Sequence, residues 1–295
     1  MAAAFGLHVS AFTPFTSASS NANYLLETQQ GRVVLTIVAE AGADAAQETG
    51  RLLAHLAAHA FPTSRPISPL SGAVFAEYQG RALLAKAYIP GAIVPFLDPV
   101  HLAQVGRAMA NLHRIPPPPF LAGKLPYGRQ EAERVCAQDI DPPFADWLST
   151  RLPALEEALD PALPQGLIHA DLFADNVLFS GANLAAIIDF ESALDAPFVF
   201  DLGMAIVGLC AGETRRAAPL LRGYETLRPL QPGEKAALQQ YAKYAATTVA
   251  CWRFWQYHLN YRVPAYAEKH WEMVAIAEAI RRVPADQFLE QLLAS

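Results

Sequence analysis

Between residues 167 and 190 two apolar stretches enclose a densely polar one: Leu167-Ile-His-Ala-Asp-Leu-Phe-Ala-Asp-Asn-Val-Leu-Phe179, then Leu184-Ala-Ala-Ile-Ile-Asp-Phe190. This segment restricts the fold most, because polar side chains lodged between apolar strands are costly to bury unpaired. His169, Asp171, Asp175, Asn176 and Asp189 must therefore be partnered or put to use. Gly181-Ala-Asn183 supplies the turn, as Gly and Asn do where a backbone reverses. The spacing suits phosphoryl transfer. Asp171 can orient and deprotonate a hydroxyl, Asn176 five residues on can offer an amide oxygen to Mg²⁺, and Asp189 a carboxylate to the same metal. The bland alternative is a hairpin whose polar groups merely satisfy one another.

The first ninety residues read as sheet-rich. Residues 23–28 and 32–38 are β-rich runs joined by Gln29-Gln-Gly31, and 73–78 and 81–89 form a second hairpin around Gln79-Gly80. Residues 44–60 between them carry Leu52, Leu53 and Leu56 at helical spacing, and Pro62 and Pro66 end that helix. Pro90-Gly91 breaks the last strand. Helices are predicted over 100–113, 129–138 and 143–158, with several more after the catalytic hairpin.

At 295 residues and 53% hydrophobic, the chain can bury one large core or two smaller ones. A net charge of −6 argues against nucleic acid as the main partner. The start has no basic residue and makes a poor secretory signal. The longest apolar run, 198–210, contains Asp201 and is too short to span a bilayer. Cys136, Cys210 and Cys251 are widely separated and lack metal spacing, so they read as buried thiols. The expectation is a cytoplasmic protein without a membrane segment.

The loop His169-x-Asp171-x-x-x-x-Asn176, followed by Ile188-Asp-Phe190, resembles the aminoglycoside phosphotransferase and choline kinase superfamily. The wording His-Ala-Asp-Leu-Phe-x-Asp-Asn-Val-Leu-Phe is most similar to the bacterial type II homoserine kinases. The resemblance runs along nearly the whole chain. It implies an α+β, two-lobed protein-kinase-like fold: a small antiparallel-sheet lobe over 1–91, with its hinge at about 87–91, and a mostly helical lobe over 92–295 that holds the catalytic loop and acceptor site. It implies ATP and Mg²⁺ as cofactors and a small amino alcohol as substrate, L-homoserine first. Alternatives are another small alcohol, aminoglycoside or choline-like, or a catalytically idle nucleotide-binding regulator.

The resemblance also distributes roles. Ala87, Tyr88 and Ile89 would meet adenine. Ser19, Asn21 and Asn23 would cover the phosphates, Asn by tolerating positive φ and Ser by donating its hydroxyl. His169 would support the loop, and Asp201, in Phe200-Asp-Leu-Gly203, would be an N-cap or a brace. Thr36 stands where most of the superfamily has its phosphate-binding Lys, as the homoserine kinases also tend to show. Lys86, held by Glu48, is the expected replacement cation. Arg253 would clamp a substrate carboxylate, and Glu191 or Asp195 would meet a substrate ammonium.

Overall fold

The computed structural model describes residues 1–15, 21–38, 42–121, 123, 125 and 128–293. In chain order the strands and α-helices are β1 (Val9–Pro14), β2 (Ala22–Thr28), β3 (Gly31–Ile37), α1 (Gly42–Ala58), β4 (Pro66–Ile67), β5 (Ala76–Tyr78), β6 (Arg81–Ala87), β7 (Ala92–Ile93), α2 (Pro99–Leu112), α3 (Arg129–Cys136), α4 (Pro142–Glu157), β8 (Gln165–Ile168), β9 (Val177–Ser180), β10 (Asn183–Ile187), β11 (Leu194–Pro197), α5 (Phe198–Cys210), α6 (Thr214–Glu225), α7 (Pro232–Phe254), α8 (Lys269–Arg282) and α9 (Ala285–Leu293). Backbone contacts divide them into two compact units. One comprises Met1–Ile93, Pro118–Leu121 and Val177–Ser192; the other comprises Val94–Pro117, Ala122–Asn176 and Ala193–Ser295.

The first unit is built on an antiparallel sheet in the order β1-β2-β3-β6-β4, with β5 also on β6. Its hairpins follow the turn residues: Gln79 and Gly80 both take positive φ, 51° and 73°, as a two-residue hairpin turn requires. One sheet face buries Leu26, Val33, Leu35, Leu83 and Ala85 against Phe5 and Leu7. On the other, Ala46 of α1 packs with Val38, Ala82 and Leu84. A separate ladder, β10-β9-β7, completes the unit. Strand β1 is an edge strand exposed along its length. One expectation changes: the run 73–78 is a strand only from Ala76.

The second unit is mostly helical. Asp98 caps α2 by accepting the amides of Val100 and His101, with Pro99 in the first turn. Gln231 and Glu234 form a capping box on α7. Helices α2 and α6 approach closely at two glycines: a Cβ on Gly106 would strike the Leu220 carbonyl, and one on Gly223 the Ala103 carbonyl. The run 198–210 is α5, nearly wholly buried. Each large apolar side chain buried there stabilises the unit by roughly 1.5–3 kcal/mol relative to exposure. Cys210 and Cys251 are buried as expected, and burial pushes each thiol up to about 12, whereas Cys136 is only half-buried. Among the described residues no helix is long and apolar enough to cross a membrane.

Candidate active site

The second unit carries the catalytic loop. Strand β8 pairs with β11 in antiparallel register, Ile168 facing Leu194 and Leu167 facing Asp195. It delivers the chain to His169, which is buried. Ala170 then takes a left-handed φ of 64°. For a residue with a Cβ this costs on the order of 1 kcal/mol, so something must hold it.

Asp201 supplies the hold. It lies inside the first turn of α5, whose N-cap is Pro197. Its carboxylate, fully buried, accepts the amide of Ala170 at 2.8 Å and that of His169 at 3.1 Å. His113, which caps the end of α2, donates to the same carboxylate from Nε2 at 2.9 Å. Its Nδ1 sits 2.7 Å from the Tyr224 hydroxyl, which in turn accepts from Arg228 at 3.1 Å, and Arg228 pairs with buried Glu234 at 2.9 Å. With Tyr224 donating to Nδ1, His113 is neutral with its proton on Nε2. Burial lowers the His113 pKa against the pull of Asp201. Burial is the largest single influence and would raise Asp201, but the His113 hydrogen bond, the electrostatic attraction of His113 and His169 and the Ala170 amide together outweigh it and hold the carboxyl below the usual range.

Within the loop, the amide of Asp171 donates to His169 Nδ1 at 3.2 Å. Asn176 is buried, and its Nδ2 donates to the Asp171 carbonyl at 2.8 Å. That bond fixes which end of the amide is which, with Oδ1 as the acceptor end. Asp175 is exposed, within electrostatic reach of Tyr257.

The first unit carries Asp189. Its φ of 67° is again left-handed, so both carboxylates of the motif stand at or beside a strained residue. Phe190 anchors the turn, buried edge-on against Phe61 at 5.7 Å. Glu191 accepts from Asn21 Nδ2 at 2.6 Å. Surrounding protein desolvates the Glu191 carboxyl although the residue keeps exposed surface. That effect, then the like charge of Asp189, raises its pKa against the attraction of Lys86 and the bond from Asn21. Asn23 lies in β2 opposite Thr36, and the fully buried Thr36 hydroxyl donates to its Oδ1 at 2.6 Å.

Several expected placements differ. Neither Asn21 nor Asn23 has positive φ; both use their side-chain amides. Ser19 lies outside the described residues. Glu48 is exposed on α1, and among the described residues no ion pair joins it to Lys86; the carboxylate that attracts Lys86 is Glu191. At the hinge, the amide of Ala87 donates to Arg65 at 2.8 Å and that of Tyr88 to Arg32 at 3.1 Å. The Ile89 amide has no partner among the described residues. In the second unit, Arg253 donates to the Lys269 carbonyl and to Glu272, each at 3.0 Å, so its guanidinium ties α7 to α8. Trp252 and Tyr266 both contact the Tyr257 ring, at 6.1 and 5.2 Å. The network from His113 to Glu234 was not anticipated. Its members sit at the end of α2, on α6, in the α6–α7 connection and on α7, and only their aromatic or charged character hinted at it.

The donor set suits a hard cation. Mg²⁺ favours oxygen ligands and is commonly held by one or two carboxylates plus phosphates and water. Asn176 Oδ1 and Asp189 fit that chemistry, and among the described residues no cluster of three or more His, Cys, Asp or Glu side chains is gathered to hold a metal alone.

Residues 11–244 match the model of the phosphotransferase enzyme family. A homoserine kinase of Xanthobacter autotrophicus is 31% identical over 258 residues, 81% of this chain and 78% of the relative. One from Caulobacter vibrioides is 32% identical over 256 residues, 80% and 78% of the two chains. Among solved structures, a spectinomycin phosphotransferase in complex with ADP and spectinomycin superposes with a TM-score of 0.69 at 15% identity, covering 96% of each chain.

Proposed function

The chain belongs to the phosphotransferase enzyme family, phosphorylating an alcohol, and from that premise we propose that it is an ATP- and Mg²⁺-dependent kinase of a small amino alcohol, with L-homoserine as the acceptor. Two relatives above 30% identity that cover most of the chain carry that name, which supports the choice of acceptor.

The observation that carries the chemistry is the orientation of the Asn176 amide. Asn176 is pinned through Nδ2 to the Asp171 carbonyl, so its Oδ1 is the end that can accept a cation, and the same loop carries the Asp171 carboxylate for the acceptor. In this reading Asp171 receives the hydroxyl proton as the acceptor oxygen bonds to the γ-phosphorus. The bond from that phosphorus to the β–γ bridging oxygen breaks, and ADP leaves. A carboxylate in that position contributes typically about 10²–10⁴-fold. Asn176 Oδ1 and Asp189 would each offer an oxygen to Mg²⁺, which would supply charge neutralisation for the phosphates. The Ile89 amide, without a partner among the described residues, donates to adenine, while Ala87 and Tyr88 shape the backbone around it. Asp195, on the strand paired with β8, takes the acceptor's ammonium. Catalysis rests on positioning and charge neutralisation, with no covalent enzyme intermediate.

The test is ADP release over a panel of amino alcohols, with Asp171→Asn as the blank. Homoserine is expected to stimulate release most, and the variant to lose about 10²-fold or more in kcat while still binding nucleotide. Equal release with every alcohol, or an active Asp171→Asn, would reject the assignment.

A further inference from the structure

Directly opposed residues of antiparallel strands share a sheet face, and neighbours along a strand alternate. Asn23 opposes Thr36 and Leu25 opposes Val34; Thr36 opposes Leu84 and Val34 opposes Lys86. These six therefore stand on one face. At its Thr36 end the face is closed: Leu84 clusters with Val38, Ala82 and Ala46 of α1, and Thr36 is fully buried with its hydroxyl already committed to Asn23. At the other end Leu25, Val34 and Lys86 are only half-buried, and β6 runs directly into the hinge. Asn21, two residues before Asn23 and so on the Thr36 side, holds Glu191 at 2.6 Å, and the charge of Lys86 acts on that Glu191 carboxylate.

We propose that Lys86 is the cation that takes the α- and β-phosphates of the nucleotide, and that Glu191, clasped by Asn21, is its resting counter-ion, displaced when the phosphates arrive. The inference rests on the kinase reading above and deepens it. Lys86 feels the charge of Glu191, yet among the described residues it makes no close ion pair, so its ammonium is attracted without being locked. An ammonium on a half-buried stem can reach a phosphate with its head in water. A carboxylate beside it attracts the ammonium but repels the incoming phosphates. The two side chains thus have opposite effects on phosphate affinity, and neither touches the affinity for the nucleoside.

The experiment measures binding of ADP and of adenosine, without divalent metal, to the full chain by titration calorimetry. Lys86→Met, which keeps the apolar stem, is expected to raise the Kd for ADP about ten- to a hundredfold, the worth of a charge-assisted bond, with adenosine within twofold. Lys86→Arg should recover most of the loss. Glu191→Gln, which can still accept from Asn21, is expected to tighten ADP about two- to fivefold at low salt, an advantage that added salt erodes. An unchanged ADP Kd in Lys86→Met, or an equal loss for adenosine, overturns the role of Lys86. Weaker ADP binding in Glu191→Gln overturns the counter-ion. If the unaltered protein binds adenosine and ADP not at all, the kinase reading itself falls, and the inference with it.

Discussion

The brace under the catalytic loop makes the sharpest quantitative prediction. In Asp201→Ala three donors lose their acceptor in a fully buried place: the Ala170 amide at 2.8 Å, His113 Nε2 at 2.9 Å and the His169 amide at 3.1 Å. Removing one partner of a buried charged network costs about 3–5 kcal/mol. In a domain of this size that corresponds to a fall in Tm of roughly 6–15 °C. Asp201→Asn should be milder, and the structure says why. If the new carbonyl oxygen faces the histidines, it still accepts from His113 Nε2 and from the His169 amide, and His113 keeps its tautomer and its bond from Tyr224. Only the Ala170 amide is stranded, at about 1–3 kcal/mol. Both variants should also lose kcat at temperatures where they remain folded. Ala170 is held at φ 64° immediately before Asp171, and a displacement of about 1 Å at a reacting group costs on the order of 10²-fold. The assays are thermal melts by circular dichroism and homoserine-dependent ADP release. A Tm for Asp201→Ala within about 2 °C of the unaltered protein would refute the brace. An Asp201→Asn as damaged as Asp201→Ala would refute the retained acceptor.

Two further outcomes are expected. His113 has a folded pKa lowered by burial below its unfolded value of about 6.5. Below pH 6.5 the unfolded chain therefore takes up the proton first, and stability falls as pH drops from 7 to 5, by up to about 1.4 kcal/mol per unit. His270, likewise lowered by burial, acts in the same direction, and melts between pH 5 and 8 give the slope, which should flatten in His113→Gln. Arg253→Ala breaks a partly exposed tie between α7 and α8, so it should reduce stability by about 0.2–1 kcal/mol and leave the KM for homoserine unchanged. A large rise in that KM with an unaltered melt would instead return Arg253 to the acceptor.

What could be read from the sequence was local. The acids and amide of the catalytic loop lie within a few residues of one another, and their order alone implied the chemistry. Hairpins announced themselves where a residue must take positive φ, as at Gln79-Gly80. Strand β1 was hidden because an edge strand exposed throughout shows no alternation of apolar and polar residues. The partner of Lys86 was misjudged for another reason. Glu48 is near in sequence on a neighbouring helix, but it sits on that helix's exposed side, while Glu191 arrives from a turn anchored by Phe190 against Phe61. Asn21 and Asn23 illustrate a limit of composition: an Asn can serve through its backbone or its amide, and here both serve through the amide. The network that holds Asp201 starts at His113 and runs on through Tyr224 and Arg228 to Glu234 with no common motif, so only packing could reveal it.

The same packing explains why the sheet carries its cation where it does. A lysine at position 36 would need a route out of the face for an ammonium that burial strongly disfavours. That route is closed, because Leu84 and Val38 gather under α1 and Thr36 has no exposed surface. Threonine fits the place: it is β-branched, suited to a strand, and its one polar atom is satisfied by Asn23 at 2.6 Å. Across the ladder and toward the hinge the face opens, and Lys86 keeps both a supported stem and access to water. Lys86, the lysine of this face, thus stands at its open end. A phosphate arriving there meets Lys86 before any other cation β3 or β6 could present, except Arg32, whose guanidinium is already stacked on the Tyr88 ring at 4.2 Å.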